Sequence, residues 1–135
     1  MAGTLKCGDT FLAPKTSSAI EHLWIIVTHP DKDGRAVCVN VTTQHSYSET
    51  TVILKKGDHP FIQHDSVINY ADSQLLNIKS IQAAIAAQPR SYVCKIHEPC
   101  SPKMLEDVQN GLLKSKLVKK DIKERCIAEW ANKPK

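Results

Sequence analysis

Apolar positions change their rhythm about half-way along the chain. Up to about residue 70 they alternate or fall in short blocks, and from about residue 77 they recur every three or four positions. The first half therefore reads as strands. Residues 5–13, LKCGDTFLA, predict a short strand carrying a turn at Gly8-Asp9. Trp24 to His29 predicts a buried strand ended by Pro30. Asp33-Gly34 is a dipeptide that accepts the positive φ of a tight hairpin, and Ala36 to Thr43 is the returning strand. In that strand Val37, Val39 and Val41 alternate with Cys38, Asn40 and Thr42, so one face is apolar and the other mixed. Thr50 to Leu54, Phe61-Ile62 and Ser66 to Tyr70 complete the β-rich half.

The second half reads as helices with one further strand. Ile78, Ile81 and Ile85 share a face among four alanines, predicting a helix over about 77–88 that Pro89 stops. Ser91 to His97 alternates and reads as a strand. Ser101-Pro102 is a capping serine followed by proline at the first helical position. Met104, Leu105, Val108, Leu112 and Leu113 form the buried stripe of the helix it starts. A last helix from about Val118 is expected to bury Ile122, Cys126, Ile127 and Trp130, so the C-terminal helices span about 101–132. Short antiparallel strands followed by helices make an α+β fold: a small, strongly curved antiparallel barrel, its core about 5–97, with appended C-terminal helices. No repeat or low-complexity linker interrupts the chain, so residues 1–135 read as one domain.

Composition narrows the setting. The chain is 41% apolar and 24% charged, ordinary for a water-soluble domain. No apolar run reaches the roughly 18 residues that a membrane helix needs, and MAGTLKCGD lacks the apolar centre of a signal peptide. A cytoplasmic protein with no membrane partner is the expectation. The five cysteines, Cys7, Cys38, Cys94, Cys100 and Cys126, are odd in number and irregular in spacing, which fits reduced thiols. Cys94, His97 and Cys100 lack the second short pair of a zinc knuckle, so no metal and no cofactor are expected. The net charge is +4, with lysines crowded after Lys114; such a tail is a solvated helix surface or a contact for nucleic acid or an acidic protein.

The candidate chemistry lies where polar residues interrupt the apolar strands. Val52 to Leu76 is an extended stretch broken at Lys55-Lys56-Gly57-Asp58-His59-Pro60, with His64 and Asp65 just beyond. Titratable groups concentrated in a loop between apolar strands mark a place for binding or catalysis, or else a solvated connection.

Four patches of the chain resemble the MazF/PemK/Kid group of toxin ribonucleases of bacterial toxin–antitoxin systems. They are Gly8-Asp9, LWIIVTHP over Leu23 to Pro30, VCVNVTTQ over Val37 to Gln44, and DSVINYADSQLLNIKSI over Asp65 to Ile81, followed by the helix start at Ser101 to Leu105. The resemblance implies a small SH3-like barrel, a homodimer, cleavage of single-stranded RNA without metal, and an antitoxin protein as partner. It implies that Thr42 or Thr43 is the strand-end threonine that meets phosphate or ribose. The arginine of the family's arginine-proline pair falls at His22 and its proline at Leu23, a departure from the pattern. Histidine can take or give a proton near neutral pH but cannot grip phosphate bidentately. Arg35 and the loop insert GDHPFIQHD, with Lys55, Lys56, His59 and His64, are the groups that could restore the charge.

Three readings of function follow. The first is a metal-independent endoribonuclease with His22, Thr42, Thr43, His59 and His64 as catalytic groups and Arg35, Lys55, Lys56 and Gln44 holding RNA. The second is a non-catalytic RNA- or protein-binding module of the same fold. The third is a metal-dependent hydrolase on His22, His59, His64, Asp58 and Asp65, whose histidine and carboxylate ligands suit zinc or manganese.

Overall fold

A computed structural model describes residues 5–14, 21–44, 49–87 and 95–131. It is an α+β structure built on one curled, six-stranded antiparallel sheet. The strands are β1 (Thr10–Pro14), β2 (Glu21–Ile26), β3 (Arg35–Thr43), β4 (Ile53–Leu54), β5 (Ser66–Asn77) and β6 (Lys95–His97), with α1 (Ile78–Ala87) inserted before β6 and α2 (Pro102–Lys114) and α3 (Lys120–Ala131) at the end. Their order across the sheet is β4-β5-β3-β2-β1-β6.

The β2–β3 hairpin turns where the Asp-Gly pair predicts it. Gly34 adopts φ 83°, its N–H donates to the Asp31 carbonyl, and the Asp31 carboxylate accepts from the N–H groups of Asp33 and Arg35. The Gly8-Asp9 turn is also present, with Gly8 at φ 94°. It extends the β1–β2 pairing: Gly8 N–H donates to Ile26 O at 2.7 Å and Ile26 N–H to Asp9 O at 3.0 Å.

Alternation along the strands divides the core between two faces of the sheet. Leu23, Ile25, Val27, Val37, Val39, Val41, Ile68 and Tyr70 face α2 and α3. Trp24, Ile26, Ala36, Cys38 and Phe11 occupy the opposite face, where Ile78, Ile81 and Ile85 of α1 pack. Phe11 and Trp24 stack with ring centroids 6.4 Å apart. The α2 stripe works as its spacing predicts: Met104, Val108 and Leu112 are buried at i, i+4 and i+8, each burial contributing about 1.5–3 kcal/mol. Ser101 caps the helix, its Oγ accepting from Met104 N at 3.1 Å.

Several expectations need correction. Phe61-Ile62 is not a strand. Ile62 is buried in the larger core with Phe61 packed beside it, and the pair belongs to the turn-rich loop 55–65. The strand begun at Ser66 does not stop at Tyr70 but runs to Asn77, directly into α1. A bulge makes that length possible: Val39 alone lies between Cys38↔Gln74 and Asn40↔Asn69, opposite four residues of β5. The strand expected over 24–29 is β2 at 21–26, and that expected over 50–54 is only β4 at 53–54. Leu113 and Ile127, placed in buried stripes by periodicity, are 39% and 49% exposed, because each lies one position off the face its helix buries. Of the strand expected over 91–97, residues 95–97 are β6, and 91–94, with Cys94, lie outside the described residues.

Candidate functional site

The C-terminal end of β3 is where most of the expected residues meet. Because β3 and β2 are antiparallel, the start of β2 lies beside the end of β3. His22 is half-buried there, and its Nδ1 lies 3.2 Å from the Val41 carbonyl oxygen. A carbonyl only accepts, so Nδ1 carries a proton, and in the neutral ring that leaves the lone pair on Nε2. Thr42 shares the sheet face of Asn40 and Trp24, as alternation from the Trp24↔Asn40 pair requires, and His22 is two residues from Trp24 on that face.

Thr43 points to the other side. Its Oγ1 lies 3.1 Å from His64 Nε2, and both residues are exposed. Thr43 pairs with Ser66, which pairs in turn with Leu54, so Lys55 emerges at the same rim. Gln44 closes the ladder, its N–H donating to the Asp65 carbonyl at 3.1 Å. Lys55 Nζ lies 3.3 Å from the Asp65 carboxylate, but both side chains are more than half exposed, and such a pair adds little to stability and exchanges readily for another anion. Lys56 is exposed on the loop that follows.

Two of the expected residues are elsewhere. Arg35 begins β3, opposite Asn77, about 26 Å along the strand from Thr43 at roughly 3.3 Å per residue. No guanidinium among the RNA-binding residues expected from sequence reaches the rim. His59 belongs to the same loop as Lys55 and His64 but turns inward and is 3% exposed. Its Nε2 lies 2.6 Å from the Glu98 carbonyl and its Nδ1 accepts from Phe61 N–H at 3.0 Å. The ring is therefore the neutral Nε2–H form with both nitrogens occupied, and burial holds its pKa below the ordinary histidine value. It cannot take a substrate proton as it stands.

The metal-binding reading fares no better. Asp58 accepts from Lys55 N–H at 2.8 Å, Asp65 faces Lys55, and His59 faces Glu98. Among the described residues no three His, Cys, Asp or Glu side chains meet in a way that could hold a metal ion.

Sequence reasoning passed over a polar network beside His22 and Thr42. Asn40 is fully buried, and its amide donates to Asp72 Oδ2 at 2.8 Å. Asp72 sits in the β5 bulge, and Gln74 donates to its other oxygen at 3.3 Å. Among the described residues Asn40 Oδ1 has no hydrogen-bond partner, and a buried acceptor left so costs about 1–3 kcal/mol. The signal was available: an asparagine between two core valines must find a polar partner in the fold.

No protein-family model matches this chain, and no curated protein is significantly similar to it. Among the described residues no helix is long and apolar enough to cross a membrane.

Proposed function

We propose that the rim at the end of β3 binds single-stranded RNA and cleaves it by attack of a ribose 2′-hydroxyl, and that the chain is a divergent relative of the MazF/PemK/Kid toxin ribonucleases with an SH3-like barrel. One observation carries this reading: His22 and Thr42 on one face and Thr43 and His64 on the other, with Gln44 and Lys55, come from three separate stretches of sequence and meet at the end of β3, where an RNA strand crossing that end has groups on either side.

In the reaction His22 Nε2 takes the 2′-hydroxyl proton, while its Nδ1–H stays on the Val41 carbonyl. The 2′-oxygen bonds to phosphorus and the bond to the 5′-oxygen breaks. His64, in its protonated form, gives that oxygen its proton. The products are a 2′,3′-cyclic phosphate and a free 5′-hydroxyl. Lys55 and Lys56 bear the phosphate charge, with Lys55 leaving Asp65, and the Thr43 hydroxyl, beside His64, donates to a phosphate oxygen. The required 2′-hydroxyl makes RNA the substrate and excludes DNA. An acidic antitoxin segment covering the lysines, a homodimer and a cytoplasmic setting belong to the same proposal.

A second reading, an RNA-binding module without cleavage, is favoured by the position of Arg35, which leaves the rim with lysines alone to hold phosphate. One experiment separates the two. Purified protein is incubated with a long single-stranded RNA in EDTA, beside the His22→Ala, His64→Ala and Arg35→Ala variants. Cleavage to cyclic phosphate ends, abolished by the first two changes and kept by the third, supports the ribonuclease. Binding without cleavage supports the module. Cleavage that depends on Arg35, or that appears only with added manganese or zinc, overturns the assignment of the site.

A further inference from the structure

The loop 55–65 carries two of the rim residues; Ile62 anchors it in the core, and His59, the loop histidine that does not face the rim, ties it by hydrogen bonds. Lys55 and Asp58 close a turn around Gly57 at φ 103°, with Lys55 N–H on the Asp58 carboxylate and Asp58 N–H on the Lys55 carbonyl. A second turn follows, Ile62 N–H donating to His59 O at 2.9 Å. The remaining polar contacts of the loop are local to it or to its neighbours at the rim. Among the described residues, His59 is the loop side chain whose hydrogen bond reaches the distant β6–α2 junction, through Glu98.

That tie is made by an uncharged ring. Nε2–H donates to Glu98 O, and the Nδ1 lone pair accepts the Phe61 N–H. A proton added at Nδ1 sets two donors against each other across 3.0 Å, so the Phe61 bond is lost. The same proton places a cation on a residue 3% exposed.

The surroundings do not welcome that cation. His97 of β6 lies with its ring centroid 5.1 Å away, and its own Nδ1 is occupied by Glu98 N–H at 2.7 Å. Thr10 of β1 donates to the same Glu98 carbonyl at 2.7 Å. Glu98 is the carboxylate that favours the charged form, and burial outweighs it. On the loop itself Asp58 is turned to the Lys55 amide, and Lys103 of α2 is held by Asp107.

We propose that His59 is a proton-operated latch on the RNA rim: its neutral ring holds the loop in the shape that presents Lys55 and His64, and its protonated ring releases the loop. The proposal rests on the RNA reading for the consequence at the rim, but not for the latch itself. The linkage has one sign. The latched form holds no proton on Nδ1 and the released form holds one, so acid favours release, beginning below the ordinary histidine value of about 6.5.

The test is nitrogen NMR on the full chain, wild type and His59→Gln, titrated from about pH 7.5 to about pH 5, a span chosen to bracket the ordinary histidine value. Glutamine keeps a side-chain N–H for Glu98 and does not titrate. In the wild type at the neutral end, His59 shows a protonated Nε2 and a bare Nδ1. On acidification the Phe61 amide and the signals of residues 55–64 move together with the His59 ring, and in His59→Gln they do not. RNA affinity measured in parallel falls about fivefold more in the wild type than in the variant, as loss of one or two ordered contacts requires. A His59 ring protonated on Nδ1 at neutral pH, or a loop whose signals ignore its titration, overturns the latch, and the wild-type titration alone delivers that result should the variant not fold. A loop that opens with His59 in a protein binding no RNA at any pH refutes the RNA reading and leaves the latch standing.

Discussion

Gly111 lies in the middle of α2, where a glycine is ordinarily a defect that alanine repairs by about 1 kcal/mol. Here the replacement destabilises. A Cβ at this position overlaps Tyr70 Oη and the Val52 Cγ2 methyl, and comes within 3.1 Å of Tyr70 Cζ. Tyr70 has no room to retreat: it is fully buried and its hydroxyl donates to the Val108 carbonyl at 2.6 Å. Overpacking of this kind costs about 1–3 kcal/mol, and loss of the buried hydroxyl's partner about 1–3 kcal/mol more. Set against the helix gain, Gly111→Ala loses about 3 kcal/mol, or about 10 °C in Tm for a domain of this size. Urea denaturation read by circular dichroism gives the free energy. Tyr70→Phe supplies the control, because it removes the oxygen that the new methyl meets, so Gly111→Ala costs at least about 1 kcal/mol less in that background. A Gly111→Ala protein as stable as the parent, or equal losses in both backgrounds, refutes the account of why the helix approaches β5 so closely.

Three further outcomes follow from the structure. Ser101→Ala removes the α2 cap and lowers stability by about 1 kcal/mol, or about 4 °C in Tm, measured by calorimetry, with no change at the rim. The Asp31 carboxyl is held below its ordinary value of 3.8, first by the Arg35 backbone N–H and then by Arg125 and the Asp33 N–H. Its contribution is therefore complete above that ordinary value and is lost as pH falls below it, so the stability advantage of wild type over Asp31→Asn shrinks in an acid titration below about pH 4. Burial pushes the Cys100 and Cys126 thiols up to about 12. At pH 8 iodoacetamide alkylates them far more slowly in the folded protein than in denaturant, as read by mass spectrometry, and labelling of Cys126 at the unfolded rate contradicts its burial.

The sequence signals that succeeded are those whose physics is local. Asp33-Gly34 names a turn because only certain residues tolerate its φ, and Ser101-Pro102 names a helix start because both residues act within one turn. Face alternation in β3 told Val37, Val39 and Val41 from Cys38 and Thr42, and the structure buries the valines in the larger core. What failed depends on partners far along the chain. Arg35 looked near the site because it is near in sequence to His22, but the hairpin sends the two to opposite ends of the sheet. His59 and His64 are five positions apart in one polar loop, and nothing local shows that one turns to Glu98 and the other to Thr43. The bulge was hidden for the same reason. Ala71-Asp72-Ser73 reads as the end of a strand, and it is the Asn40 contact across the sheet that lets β5 continue.

The sheet is a shared wall between two cores of unequal size. Among the described residues sixteen buried side chains cluster on the α2 and α3 side and eight on the α1 side. The smaller cluster is roofed by a ten-residue helix that offers Ile78 fully and Ile81 and Ile85 only in part, with three of its alanines exposed. A helix of that length holds only while it is packed. The molecule therefore has two tiers of cooperativity, and α1 is the cheaper one to open. Its amides exchange with solvent through partial openings that leave α2 intact, while those of α2 wait for global unfolding. Trp24, stacked on Phe11 beneath that roof, reports the first tier before the second gives way.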